Sequence, residues 1–181
     1  MSKNKKILLG VTGSIAAYKS ADIIRRLSEL GYKLSVIMSK EAEQFITPLT
    51  LGSLCGEKVH QDLFDDDSWR MSHISLAKEA DVFLIAPATA NIIGKIANGL
   101  ADDLITCTAM ATQAKIIIAP AMNDQMFKNK IVQENLKKLK SLGMNFVLPI
   151  EGKLACGSFG EGHLAEVEDI VNAVVRLAGS H

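Results

Sequence analysis

No excess of either charge marks this chain: 20 Lys and Arg stand against 20 Asp and Glu, and the basic residues are scattered rather than clustered. That removes the electrostatic footprint of a nucleic-acid binder, so no nucleic-acid partner is expected. Long apolar runs are also missing. The longest, Val82 to Ala90, is about half of what a bilayer crossing needs, and Met1 to Lys6 is polar and basic with no apolar signal region behind it. No membrane partner is expected, and the setting implied is cytoplasmic. Cysteine is sparse: Cys55, Cys107 and Cys156 are odd in number and form no Cys-x-x-Cys pair, which argues against a disulfide framework and against a cysteine-built metal site. Any special cysteine here is a reactive one. No repeat, linker or compositional break divides the chain. What is present is 181 residues, 48% of them hydrophobic, suited to one domain over residues 1–181 with a substantial core.

Ile7 to Val11 is a short apolar run ending in Gly10-Val11-Thr12-Gly13-Ser14, after which Ile15, Tyr18, Ile23, Ile24, Leu27 and Leu30 recur at helical spacing. This predicts a strand, a tight turn and a helix. Gly31 stands just past the helix, and Lys33 to Met38 reads as a second strand, so the first unit is βαβ. Glu41 to Leu54 is helix-like but carries Pro48, which predicts two short helices or a break. Glu57 to Arg70 is the least regular part. Its run Asp65-Asp66-Asp67 reads as a solvated loop, since no further carboxylates or histidines stand at ligand spacing. A short helix over His73 to Ala80 precedes Val82 to Ala86, an unalternating apolar run of the kind buried on both faces of a parallel sheet. That strand is expected to stop at Pro87, and Ile116 to Ala119 to stop at Pro120, with helices over Asn91 to Asn98 and Leu104 to Ala111 between them. Phe146 to Leu148 is a further strand stopping at Pro149, followed by a glycine-rich segment and a closing helix from Val167 to Ala178.

Strands alternating with helices predict an α/β fold: a three-layer αβα sandwich around a Rossmann-like or flavodoxin-like open parallel sheet. Ligands in such sheets bind beyond the carboxyl ends of the strands, here the segments after Val11, Met38, Ala86, Ala119 and Leu148. The first, Gly13-Ser14-Ile15-Ala16-Ala17, puts small residues at a helix start, where backbone N–H groups favour a phosphate; a plain N-cap by Ser14 is the alternative. Ala16 occupies the last glycine's place of a G-x-G-x-x-G pattern, which weakens a dinucleotide reading and leaves a mononucleotide phosphate. Pro87-Ala88-Thr89-Ala90-Asn91 and Pro120-Ala121-Met122-Asn123 share a form, and their amides and hydroxyl serve equally as helix caps or as ligand-binding groups. His73 opens a helix, where an imidazole is a structural hydrogen-bonder unless it faces the ligand end of the sheet. Cys156, followed by Gly157, Gly160 and Gly162, suits either a buried inert thiol or a reactive thiol on a flap.

Taken together, Gly13-Ser14-Ile15-Ala16-Ala17-Tyr18-Lys19, His73-Ile74-Ser75-Leu76-Ala77, Ala86 to Asn91, Gly94 to Leu104, Pro120-Ala121-Met122-Asn123 and Leu154-Ala155-Cys156-Gly157 closely resemble the flavin-containing cysteine decarboxylases. The resemblance covers nearly the whole chain in order. It implies FMN as cofactor, held by Gly13, Ser14, Ile15, Ser39, Ala88, Thr89, Ala90 and Asn91, with its phosphate at the helix start. It implies His73 as active-site base, Cys156 as proton donor on a flap, and Asn123, with Met122 and Ala155, as substrate-binding residues. The activity implied is conversion of 4'-phosphopantothenoylcysteine to 4'-phosphopantetheine in coenzyme A biosynthesis, through oxidation to a thioaldehyde, loss of carbon dioxide and re-reduction of the enethiolate. A homotrimer or homododecamer is implied as well. The peptide-cysteine decarboxylases of lantibiotic synthesis lack the flap cysteine and stop at the enethiol, so Cys156 favours the complete cycle; flavin prenyltransferases share fold and FMN but not the motif pair. His163-Leu164 departs from the Arg-Met of many relatives and is left out of the site. A regulatory flavoprotein without activity is the reading from another class, and such proteins usually carry long acidic extensions.

Overall fold

The structure, a computed structural model, describes residues 5–64, 72–153 and 159–179. Strand β1 (Lys6–Val11) leads through a 3-10 turn (Ile15–Tyr18) into α1 (Lys19–Glu29) and β2 (Lys33–Met38). A second 3-10 turn (Lys40–Gln44) and α2 (Pro48–Cys55) are the two short helices that Pro48 predicts, with the proline at the helix start, where its missing N–H costs nothing. Then come α3 (Ser72–Glu79), β3 (Val82–Ala88), α4 (Ala90–Ala97), α5 (Leu104–Ala111) and β4 (Lys115–Pro120). They are followed by α6 (Asp124–Lys128), α7 (Lys130–Ser141), β5 (Asn145–Phe146), β6 (Ile150–Lys153), β7 (Phe159–His163) and α8 (Val167–Gly179).

The first five strands form one parallel sheet in the order β2-β1-β3-β4-β5. The chain turns outward on one side of β1 to make β2 and then crosses to the other side to make β3. The crevice above β1 and β3 is therefore the switch point where such sheets take ligands. Alternation along β1 explains the layers. Ile7, Leu9 and Val11 join Ile23, Ile24 and Leu27 of α1 and Ile170 and Val174 of α8 in one buried cluster. Leu8 joins Phe83, Ile85, Ile93, Ile96, Ile105 and Leu139 in a second cluster on the opposite face. This is the expected αβα sandwich, with a core on each side of the sheet.

Five details differ from the sequence expectation. Strand β3 does not stop at Pro87 but runs to Ala88, with a register shift against β4 between Ile85 and Ala88; a proline is tolerated there because the regular ladder is already broken. Strand β4 likewise includes Pro120 as its last residue, and β5 ends at Phe146, ahead of Val147 and Leu148. The glycine-rich segment contributes two paired arms, β6 and β7, joined as an antiparallel hairpin. Helices α6 and α7 were not anticipated. The Asp65-Asp66-Asp67 run lies outside the described residues. Helix α1 is held to the sheet by a fully buried stripe, so Ile24→Ala is expected to lower stability by about 2–5 kcal/mol in urea unfolding. A loss below about 0.5 kcal/mol, the size of an ordinary surface change, contradicts that packing.

Candidate active site

A cleft of about 300 Å³ opens at the carboxyl ends of the strands. Its walls come from the loop after β1 (Thr12, Gly13, Ser14), from Ser39 and Glu41 after β2, from Thr89, Ala90 and Asn91 after β3, and from Met122 and Met126 after β4. Asp103, ahead of α5, also lines it. Gly13 allows the first two loops to meet, because a Cβ there would collide with the side chain of Glu41. Ser14 Oγ accepts a hydrogen bond from Ala16 N at 3.3 Å and so caps the 3-10 turn. Thr89 caps α4 in the same way, accepting from Ile92 N at 3.4 Å. The cap readings of Ser14 and Thr89 are therefore both realised, and the caps aim helix starts at the cleft. The start of α4 carries Ala90 and Asn91 into the lining, with the positive end of the helix facing the same space.

Of the other residues singled out in the sequence, Ile15 is 56% exposed and Ala88 is buried within β3, and neither lines the cleft. Asn123 caps α6, its Oδ1 accepting from Gln125 N at 2.9 Å and Met126 N at 3.4 Å. Met122 faces the cleft beside it. His73 is the second residue of α3, half-buried, and is not part of the lining. Cys156 and Ala155 lie outside the described residues. The arms on either side of them are anchored: Met122 N donates to Gly162 O at 3.0 Å, and Gly162, at φ +155°, has no room for a Cβ against the Met122 carbonyl. His163 also has a partner in this anchor. Its Nε2 lies 3.2 Å from Lys19 Nζ, which ties the β7 arm to the start of α1.

Two buried side-chain atoms have no hydrogen-bond partner among the described residues, Ser39 Oγ and His73 Nδ1. Buried polar atoms are almost always paired, so an unpaired one is a place for a ligand group. Ser39 lines the cleft, and its buried hydroxyl, the α4 start and the small residues at Gly13 and Ala90 suit an anionic, planar cofactor such as FMN. Among the described residues no cluster of three or more His, Cys, Asp or Glu stands ready for a metal, and no helix is long and apolar enough to cross a membrane.

Sequence reasoning missed Asp103 and Lys95. Asp103 forms a capping box with Thr106 at the start of α5, a role readable from an aspartate just before a helical run. Lys95 reaches across from α4 to Asp102 at 2.8 Å and Asp103 at 2.9 Å. Its hydrogen bonds to Asp102 and then Asp103 hold the ammonium above its usual range against the opposing effect of burial. The same contact holds the Asp102 carboxyl below its usual range. Burial first, and then these two carboxylates, push the Cys107 thiol up.

Comparison with known proteins places this architecture. The family described as Flavoprotein matches residues 1–179. The chain is 44% identical over 173 residues to the "Probable phosphopantothenoylcysteine decarboxylase" of Streptococcus mutans, covering 94% of this chain and 97% of that protein. It is 46% identical over 168 residues to the "Coenzyme A biosynthesis bifunctional protein CoaBC" of Vibrio vulnificus, covering 92% of this chain and 42% of the relative, so it spans less than half the length of that bifunctional protein. Among solved structures, a cysteine-to-serine variant of PPC decarboxylase complexed with pantothenoylaminoethenethiol superposes with a TM-score of 0.87 at 31% identity, over 98% of this chain and 100% of that one. Other solved neighbours are described as FMN-dependent cysteine decarboxylases and an FMN-binding protein.

The Lys95 cluster makes stability depend on pH in a signed way. A depressed carboxyl contributes above its unfolded value, near pH 4, and loses that contribution as pH falls through its folded value; a raised ammonium contributes below its unfolded value, near pH 10. Lys95→Met should therefore lower the urea midpoint at pH 7, with a smaller gap to wild type at pH 3. A gap of equal size at both pH values contradicts the ion-pair origin.

Proposed function

The chain belongs to the flavoprotein family, and on that premise we propose that it is an FMN-dependent decarboxylase converting 4'-phosphopantothenoylcysteine to 4'-phosphopantetheine in coenzyme A biosynthesis. The observation that carries this reading is the cleft at the β1/β3 switch point, with a buried serine hydroxyl left without a partner among the described residues. Gly13, Ser14, Ile15, Ser39, Ala88, Thr89, Ala90 and Asn91 are the residues to hold FMN, through side-chain hydroxyls where these face the cleft and through backbone at Ile15 and Ala88. When bound, FMN supplies a two-electron acceptor that later gives the electrons back.

The substrate's chemistry explains the rest of the set. Direct loss of carbon dioxide from a cysteine amide leaves an electron pair on a carbon with nothing to accept it. Oxidised at its β-carbon to a thioaldehyde, the same substrate has its carboxylate β to a C=S group, and carbon dioxide departs to leave an enethiolate. Return of a hydride and one proton then gives the saturated thiolate, which takes back the proton first removed from sulfur, with no net oxidation. His73, whose buried Nδ1 has no partner among the described residues, is the base for the thiol proton. Asn123, with Met122 and Ala155, binds the substrate carboxylate end, and Cys156 donates the proton to the enethiolate. The reading carries with it a single FMN-binding domain over residues 1–181, a cytoplasmic setting and a homotrimer or homododecamer.

Mass spectrometry of phosphopantothenoylcysteine incubated with the purified protein, without added oxidant, tests the proposal. Loss of carbon dioxide alone is expected, and Cys156→Ser should accumulate product that has lost two further hydrogens. Unchanged substrate contradicts the reading, and a Cys156→Ser protein that still forms the saturated thiol removes the proton-donor role.

A further inference from the structure

The end of β3 raises a physical problem that two hydroxyls solve. Pairing of β3 with β1 ends at Gly10 opposite Ile85, and its pairing with β4 slips between Ile85 and Ala88. Ala86 and Pro87 are nevertheless buried, so their carbonyls have left the regular ladder without reaching water, while Ala88 pairs again with Pro120 of β4. Each finds a separate partner. Ser20 Oγ, from α1, donates to Ala86 O at 3.0 Å. Thr12 Oγ1 donates to Pro87 O at 2.7 Å, and Ala121 N donates to Ala88 O at 3.0 Å. The Thr12 hydroxyl also accepts from Thr89 N at 3.1 Å, so one oxygen holds both sides of the β3 exit. Thr12 and Ser20 are 3% and 0% exposed.

We propose that Thr12 and Ser20 are positioning residues for the Ala88–Asn91 turn: their hydroxyls set where that turn stands against the loop after β1, and through it the affinity and environment of the flavin. The inference rests on the FMN reading above. Thr12 lies in the loop after β1, which forms the opposite wall of the same cleft, and Ser20 lies in the first turn of α1 that follows that loop. The two walls are thus tied to each other directly, and the cleft's width does not depend on the ligand alone. A bulged strand end beside a binding site is a common way to re-aim a side chain, and here it turns the cap residue Thr89 and the start of α4 toward the cleft. Removing the Thr12 hydroxyl leaves a buried acceptor and a half-buried donor without this partner at once, and the cheapest relief is movement of the turn.

The test is FMN titration, followed by flavin fluorescence and the fine structure of the visible absorption band, on wild type, Thr12→Val, Thr12→Ser and Ser20→Ala. Thr12→Val keeps the volume and loses the hydroxyl; its FMN dissociation constant should rise roughly tenfold or more, with an altered visible band. Thr12→Ser should recover wild-type affinity to within about twofold, which a role for the methyl group would not allow. A Thr12→Val protein with wild-type affinity and spectrum overturns the inference, as does a Thr12→Ser protein equally impaired. If Thr12→Val does not fold, Ser20→Ala decides: a several-fold weaker affinity supports the inference and an unchanged one overturns it. Wild-type protein that binds no FMN removes the flavin reading, and the inference with it, whereas tight wild-type binding with indifferent variants overturns the inference alone.

Discussion

Seven consecutive buried residues, Val82–Ala88, put β3 at the centre of the molecule, and a strand covered on both faces has no water to satisfy what its ladder leaves over. Every polar group at its carboxyl end must therefore be met by another part of the chain. That obligation links β3 to the loop after β1, the start of α1 and the turn after β4, and of these the loop after β1 and the turn after β4 line the cleft. The site is a consequence of how a buried parallel strand ends. Thr89 both caps α4 and lines the cleft, so for that residue the cap and binding-group readings are not competitors.

The cleft also has to admit an anionic cofactor although Glu41 and Asp103 stand in its wall. Lys95 answers part of this, since its ammonium is shared between Asp102 and Asp103 and cancels charge next to the lining. The hairpin supplies a second constraint. Its β7 arm is fastened to the Met122-Asn123-Asp124 turn through the Gly162 carbonyl, and Gly160 lies so close to Asp124 that a Cβ would stand 2.9 Å from that side chain. The segment containing Cys156 connects the two arms, and so it departs from a platform fixed to the residues proposed to hold the substrate.

Most of the sandwich was legible in the sequence because it rests on local signals: apolar runs for β1 to β4, the Ile23, Ile24 and Leu27 stripe of α1, and Pro48 at a helix start. Pro87 and Pro120 were read as strand stops since proline cannot donate to a ladder, yet at the end of β3 the ladder had already slipped. The β6–β7 hairpin was hidden because its glycines suggest a loop, and only contacts with Met122 and Asp124, distant in sequence, account for them. Helix α7 could have been found: Asn129 caps it, and Val132, Leu136 and Leu139 fall at helical spacing. In the site, the motif residues were readable. The unpaired state of Ser39 Oγ and the Lys95 cross-link were not, for both depend on which loops the fold brings together.

The central claim is that the cleft between the loop after β1 and the turn after β3 is where FMN binds, with Ser39 meeting the cofactor. A crystal structure of the protein grown with FMN tests it most directly. The account predicts FMN between Thr12–Ser14 and Ala88–Asn91, with Ser39 Oγ within hydrogen-bonding distance of the cofactor. FMN bound elsewhere, or in this cleft with Ser39 Oγ still unpaired, would contradict it.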